Sequence, residues 1–535
     1  MEGRGYYYTA AGAALSTHFF LQFHEPRPID VIFLLFLSNA ILLTILGAYS
    51  AMPTRLIAPL ILQLNLTYFT TLSTSIFIYR VFLHRTRHFP GPFWASLSKF
   101  WAMYTVSTGE YHRRVRKLHQ IHGDFVRVGP REIDICNVDA ITPIYGVGSK
   151  CEKGPWYDGP MMGSHERFLQ ISAGTDHQWR RRIWDAGFSS KALREYEPIV
   201  LHHVNELVAE LSKIPENEVV DLGLYFSFFT FDVMGDLGFG KSFNMLQGGA
   251  SSDYMRIVQG FANFNSLICT IPWCSTVFAY LPKAKGAEAL FRFAAEQVKS
   301  RLPLGTSRKD AFSYLLGEDR VTRRSYNKQQ IVLEALNLII GGSDTTSSTL
   351  ASVWYYLISH PSKYRRLQAE IDAHDGALMH THLSKFPYLN AVIHETLRLL
   401  PPVASGMMHR VTPPEGLLIG ETYIPGNVTV GVGAYEVQRD PRYYGQPDEF
   451  IPERWIGEGP APFNRNAFLA FSVGPYGCVG KHLAYQELCD LTAAMCREFE
   501  IEFAEGWDQR GYEGSIKDKV ISTRVYLPVV IRKRM

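Results

Sequence analysis

FSVGPYGCVG, residues 471–480, sets one cysteine among three glycines and a proline. A buried structural thiol packs like a small hydrophobe and needs no such surroundings. Glycines at 474, 477 and 480 strip side chains from a surface that something large and flat approaches, and they free the backbone to turn its amides toward sulfur. The next segment, VGKHLAYQELCDLTAAMCREFE, puts Ala484, Leu488, Leu491 and Met495 on one helical face. Cys478 therefore stands at a helix N-terminus, where free amides and the positive end of the macrodipole favour a thiolate. Iron coordination suits both features. A hydrolytic nucleophile would need a base and an oxyanion hole, and only His482, one turn on, is offered. A zinc site could use Cys478 and His482, but no partner pair with ligand spacing accompanies them.

The 535 residues, 46% of them hydrophobic, suffice for one large folded unit with an extensive core. A formal charge of +3 leaves no global basic field for a nucleic-acid partner. Seven cysteines without a Cys-x-x-Cys pair point to reduced thiols in the cytosol. DVIFLLFLSNAILLTILGAYS (30–50) and LIAPLILQLNLTYFTTLSTSIFIY (56–79) are each long enough to cross a bilayer, and YYYTAAGAALSTHFFLQF (6–23) is a third span or an interfacial segment. The arginines of RVFLHRTRH (80–88) then stay cytosolic under the positive-inside rule, and neither a cleavable signal nor a transit peptide is evident. FPGPF (89–93) makes a stiff turn that cannot continue a helix. The expected organisation is a membrane anchor over 1–88 and a single catalytic unit over 89–535.

NKQQIVLEALNLIIGGSDTTSSTLASVWYYLISH (327–360) reads as one helix of about 50 Å closed by Pro361. Gly341 and Gly342 each cost about 1 kcal/mol relative to alanine in a helix interior, and Asp344, Thr345 and Thr346 follow them. Such a weakened, polar centre fits a functional groove, and it also fits hydroxyls bonded to their own backbone. YLNAVIHETLRLLPP (388–402) is a second helix, with Glu395 and Arg398 on one face among apolar neighbours. A buried pair needs further hydrogen bonds to offset desolvation, and PDEFIPERW (447–455) offers the guanidinium of Arg454.

Together these residues resemble the cytochrome P450 family from about Phe89 to the C-terminus. Phe471, Gly474, Cys478 and Gly480 match its heme-binding loop; Gly341, Gly342, Asp344 and Thr345 resemble its oxygen-activating groove; Glu395, Arg398 and Arg454 look like its buried Glu-Arg-Arg network. The resemblance implies a mainly α fold with small β-sheets and heme b (iron protoporphyrin IX) with Cys478 as axial ligand. It implies monooxygenation of a lipophilic substrate by O2, with Asp344 and Thr345 relaying protons. Electrons would come from NADPH-cytochrome P450 reductase, since no Gly-rich nucleotide-binding unit is present. Lys481 and the cluster Arg180, Arg181 and Arg182 offer the reductase charge complementarity, and the arginines equally fit a solvated helix face.

FANFNSLICTIPWCSTVFAYLP (261–282), rich in aromatic and aliphatic residues, is expected to cover the substrate pocket. The N-terminus and GPYGCVGK resemble fungal secondary-metabolism members, which implies tailoring of a terpenoid, indole or polyketide. The resemblance also implies retention in the endoplasmic reticulum membrane, among its lipids, with the catalytic unit facing the cytosol. Two positions depart from the family. Tyr476 stands where a basic residue usually binds a heme propionate, and His177 replaces the Trp of Trp-x-x-x-Arg, with Arg181 retained. Arg410 is then the remaining strong propionate anchor. A heme-thiolate isomerase or dehydratase working on a peroxide without reductase, and a non-catalytic heme-binding membrane protein, are the alternatives; dependence on NADPH and reductase separates them.

Overall fold

Lys328–Ser359 is one continuous helix in the computed structural model, which describes residues 2–24, 26, 28–49, 53–161, 166–248, 264–274, 285–405, 409–523 and 525–534. A capping box starts it: the Asn327 side chain accepts from Gln330 N (2.8 Å) while the Gln330 side chain accepts from Asn327 N (3.1 Å). His360 ends it ahead of Pro361. The helix crosses the domain against Leu222–Phe239, Pro387–Leu399 and Lys481–Glu498. Gly342 serves that packing, since a Cβ there would lie 2.1 Å from Met234 Sδ. A Cβ on Gly341, by contrast, would meet nothing within 4 Å.

The sheets are small, as expected of a mainly helical fold. The largest runs in the order Phe125–Gly129, Glu132–Ile135, Thr429–Gly431, Arg410–Val411, Glu152–Lys153, with only the second and third strands parallel. Its Val and Ile residues close a second apolar core around Tyr145 and Leu469, directly before the cysteine loop. The FPGPF turn is pressed onto this sheet. Arg127 N donates to Pro90 O (2.7 Å), and a Cβ on Gly91 would lie 2.3 Å from Arg127 O.

Three helices precede the domain: α1 (Glu2–Phe23), α2 (Pro28–Tyr49) and α3 (Thr54–Ile78), the last running on into a π-turn at Tyr79–Leu83. α2 and the extended α3 are long and apolar enough to cross a bilayer, and most of their side chains face outward. α1 lies parallel to α3: Tyr7 OH donates to Gln63 Oε1 (2.5 Å), Tyr68 OH to Thr17 Oγ1 (2.9 Å), and His18 Nδ1 meets Ser75 Oγ (2.6 Å). α2 is clamped to α3 where Asn65 Nδ2 donates to Asn39 Oδ1 (2.6 Å). At the domain end, Arg131 donates to Gln22 O (2.7 Å) and Arg127 to Arg80 O (3.2 Å). Of the stretch expected over the pocket, 261–263 and 275–282 lie outside the described residues, and 264–274 is a short helix over 264–270 followed by a 3-10 turn at Pro272–Cys274, with Ile268 and Ile271 buried.

Candidate active site

Residues 471–480 form a tight loop seated on the end of the helix Ile141–Tyr145. Cys478 N donates to Phe471 O (2.9 Å) and Gly477 N to Gly474 O (3.0 Å), which closes the loop on itself. Gly474 has φ +71°, and a Cβ there would sit 1.9 Å from Tyr145 O. The backbone itself therefore demands this glycine, a different reason from room for a flat ligand. Gly480 is unconstrained by contrast: its Cβ would find Phe188 Cε1 at 3.8 Å and Cys478 Sγ at 4.0 Å, both ordinary contacts. Of the seven free cysteines, only Cys478 is exposed. Although the residue keeps open surface, the protein packed around it desolvates the sulfur and pushes the thiol up, while the amides of Gly480 and Lys481 and the charges of Arg181 and Lys481 pull it down. The net direction is upward, so the helix-terminus effect expected to favour a thiolate operates but is outweighed by desolvation.

In the centre of the long helix, Thr345 Oγ1 donates to Gly341 O (2.6 Å), the back-bonded arrangement. Asp344 makes no side-chain hydrogen bond among the described residues, and burial alone pushes its carboxyl up to about 6. A carboxyl that titrates about two units above an ordinary aspartate thus sits one residue from a hydroxyl.

Glu395 is the hub of a fully buried network. Arg398 grips it with two parallel bonds (Nε to Oε2, 2.8 Å; NH2 to Oε1, 2.9 Å), and Arg454 Nε adds a third (3.0 Å). Trp455 Nε1 and Ile451 N, both at 2.9 Å, occupy the remaining acceptor sites. Burial pushes the Glu395 carboxyl up, but the bonds and charges of the two arginines outweigh it and hold the group below its ordinary value. Arg398 NH1 donates on to Gln438 O (2.7 Å), and Gln438 Oε1 accepts from Leu469 N (2.6 Å). The network is thereby tied to the strand of chain that enters the cysteine loop. Sequence reasoning found the three ionic partners but missed Trp455 and Gln438, which carry no charge signal.

On the other side of the loop, Arg181 NH1 donates to Gly477 O (2.6 Å) and Pro475 O (3.2 Å). Arg180, Arg181 and Arg182 do not form one charged face: Arg180 is buried, while Arg181 and Arg182 stay partly exposed and paired with Asp185 and Asp319. Consecutive helix residues point about 100° apart. Arg180 is accordingly buried against Glu334 (3.2 Å), and Arg182 is bonded through both Nε and NH2 to Asp319 (2.7 Å each). Glu334, which also accepts from Trp184 Nε1 (3.2 Å) and Leu169 N (3.0 Å), locks the helix Gly174–Gly187 to the long helix.

The His177 ring lies 4.5 Å from that of Tyr476, and burial, then the charges of Lys153, Arg181 and Arg410, push its pKa to about 3. Tyr476 OH accepts from Gly174 N (3.3 Å). Arg410, 2% exposed, donates to Tyr157 OH (2.8 Å), while its Nε is buried without a partner. Lys153 and Tyr157 were missed by sequence reasoning, because a two-residue strand and the short helical turn beside it leave no motif.

The family model described as Cytochrome P450 matches residues 88–516. Cytochrome P450 monooxygenase FCK2 of Fusarium pseudograminearum is 34% identical over 468 residues, 86% of this chain and 84% of that protein. Tryprostatin B 6-hydroxylase of Aspergillus fumigatus is 33% identical over 480 residues, 88% of this chain and 84% of that one. Among solved structures, the cytochrome P450DA heme domain superposes with a TM-score of 0.71 at 17% identity, covering 84% of this chain and 98% of its own, and shares the fold.

Proposed function

The chain belongs to the cytochrome P450 family and is a monooxygenase with a heme-thiolate cofactor; on that premise we propose that it oxidises a lipophilic secondary metabolite, drawing electrons from NADPH-cytochrome P450 reductase. The overall balance is substrate, O2, NADPH and a proton giving the mono-oxygenated product, water and NADP+. The residues suit the cofactor. An exposed thiol is ringed by amides, Gly341 and Gly480 leave room that a Cβ would occupy without touching backbone, and Arg410 offers a buried, unpartnered Nε. When bound, heme supplies an iron that binds O2 and takes up electrons singly.

Cys478 would hold that iron through its sulfur, and Phe471, its ring tilted 41° against that of Tyr485 (5.1 Å between ring centroids), would shield the sulfur from solvent. Gly474 keeps the loop in its turn. Glu395, Arg398 and Arg454 would fix the loop's approach, and His177, Arg181, Arg410 and Tyr476 would face the propionate edge. Asp344 would hold a proton for delivery and Thr345 would pass it on. A terpenoid, indole or polyketide scaffold is the substrate class favoured by the fungal relatives.

We place the catalytic unit at 89–535 and a three-span anchor in the endoplasmic reticulum membrane at 1–88. α1 falls short on hydropathy because of its tyrosines and hydroxyls, yet Tyr7, Thr9, Ser16 and Thr17 are satisfied internally, while Tyr6 and Tyr8 are exposed at its N-terminal end. Thr9, Ser16 and Thr17 donate to the carbonyls four residues back (2.9–3.0 Å), Tyr7 to Gln63, and Leu15, Phe19, Phe20 and Phe23 face outward. Such a helix loses little by entering lipid.

The observation that carries the functional reading is the exposed Cys478 thiol in its amide-lined loop. The reading is tested on membranes from cells expressing the chain. A reduced carbon monoxide spectrum of the thiolate type, lost in Cys478→Ala, and product formation from lipophilic precursors that requires both NADPH and reductase support it. Product without reductase would favour the isomerase chemistry instead.

A further inference from the structure

His202, His203 and Glu206 stand together on the helix Ser190–Leu211. At about 100° per residue, position 206 falls between 202 and 203 when the helix is viewed down its axis. Glu206 is therefore one turn on from both histidines and within reach of each. One ligand atom from each of the three side chains lies within 4.8 Å of the others. Atoms bonded to a single zinc ion at about 2.0–2.1 Å stand about 3.3 Å apart in a tetrahedron, so small side-chain rotations close the set.

The three side chains differ in how firmly they are held. His203 is buried, with Nδ1 at 3.0 Å from Glu206 Oε2 and Nε2 at 3.3 Å from Asp236 Oδ2. Asp236 belongs to the helix Leu222–Phe239 and is paired in turn with Arg308. Glu206 Oε1 accepts from Gln247 Nε2 (2.6 Å), on the short helix Met245–Gly248. His202 is exposed, sets its ring edge-on to that of His203 (5.0 Å between centroids) and makes no side-chain hydrogen bond among the described residues. A histidinium between two carboxylates accounts for His203, Glu206 and Asp236 but leaves His202 a bystander. A metal ion engages all four. With the ion on His203 Nδ1, the Nε2–H still donates to Asp236, the carboxylate–histidine–metal arrangement that fixes tautomer and ring direction. Glu206 keeps its bond from Gln247 while Oε2 turns to the ion, and His202 supplies the third ligand from the solvent side.

We propose that His202, His203 and Glu206 bind a zinc ion, with Asp236 orienting His203 and a water completing the tetrahedron. Two imidazoles and one carboxylate suit zinc, whereas Ca2+ and Mg2+ take oxygen ligands. Bound there, the ion braces the helix Ser190–Leu211 against Leu222–Phe239 and Met245–Gly248, both of which pack on it. The site shares no residue with the Cys478 loop, so it stands apart from the heme reading.

The full-length holoenzyme, carrying no histidine tag, is titrated with zinc chloride against a fluorescent zinc chelator. One equivalent is expected to be taken up saturably, and at least about tenfold more weakly in His202→Ala and in Glu206→Gln. His202→Ala changes an exposed side chain, and an unchanged far-ultraviolet circular dichroism spectrum verifies that its fold is kept. Zinc should raise the unfolding temperature of the wild type and leave that of His202→Ala where it was. Excess Mg2+ should not displace the zinc. Uptake that either variant retains at wild-type affinity overturns the proposal, as does displacement by Mg2+ or a wild type that takes up no zinc.

Discussion

Gly474 and Tyr145 approach so closely that a Cβ on the glycine would stand 1.9 Å from the tyrosine's carbonyl oxygen. The φ of +71° at Gly474 adds a penalty for any L side chain, about 1–2 kcal/mol before the clash is counted. Gly474→Ala should therefore lower stability by at least about 2 kcal/mol and cut heme content per polypeptide severalfold. Gly480→Ala, whose Cβ meets nothing nearer than 3.8 Å, should retain both. Thermal unfolding and heme quantification of the two variants check the contrast, and equal behaviour would refute the backbone explanation.

The Glu395 network predicts an asymmetry of a different kind. Glu395→Gln removes the charge that compensates two buried guanidinium groups, Arg398 and Arg454, and breaking such a pair costs about 3–5 kcal/mol. Little soluble, heme-loaded protein is expected. Trp455→Phe deletes one neutral donor to the same carboxylate and should cost only about 1 kcal/mol. Chemical denaturation of the purified proteins orders them.

These cases show what was legible in the sequence. The ionic hub was, because Glu395 and Arg398 lie three apart on an apolar helix and Arg454 follows a proline-punctuated loop. The long helix was legible to its caps, since Asn327, Gln330 and Pro361 are local signals. What acts across the sheet was not. Lys153 and Arg410 become neighbours through strands of two residues each, too short for any periodic pattern. The need for Gly342 in helix packing against Met234 was not legible either, since no local signal names its partner. The arginine run was read as one patch because sequence proximity hides the angular separation of successive helix residues, which sends Arg180 into the core.

Asp344 links stability to pH. Its folded value of about 6 lies above that of an unfolded aspartate, near 3.9. The fold therefore binds more protons between those values, and stability falls as pH rises from about 4 to 6 and then levels off. Asp344→Asn should raise stability at pH 7.5, by on the order of 2 kcal/mol, with the gain fading toward pH 4. In the same variant, and in Thr345→Ala, more NADPH should be consumed per product as peroxide is released. A pH-independent difference, or unchanged coupling, removes the corresponding residue from the proton path.

The parallel course of α1 and α3 fixes where the N-terminus must lie if the anchor has three spans. α3 leads into the catalytic unit, and Gln22, near the end of α1, is held by Arg131 of that same unit. Both helices therefore end on the cytosolic side, and Glu2 begins on the lumenal side. A glycosylation acceptor fused ahead of Met1 should be modified in microsomes, whereas the Asn427-Val428-Thr429 sequon in the catalytic unit should not be. Replacing Asn39 or Asn65 with Leu should leave that orientation intact, because an interhelical side-chain bond within a bilayer contributes only about 0.6–2 kcal/mol. Deleting 1–88 should release the protein from membranes on alkaline carbonate extraction. An unmodified N-terminal tag together with intact membrane retention would reduce α1 to an interfacial helix and the anchor to two spans.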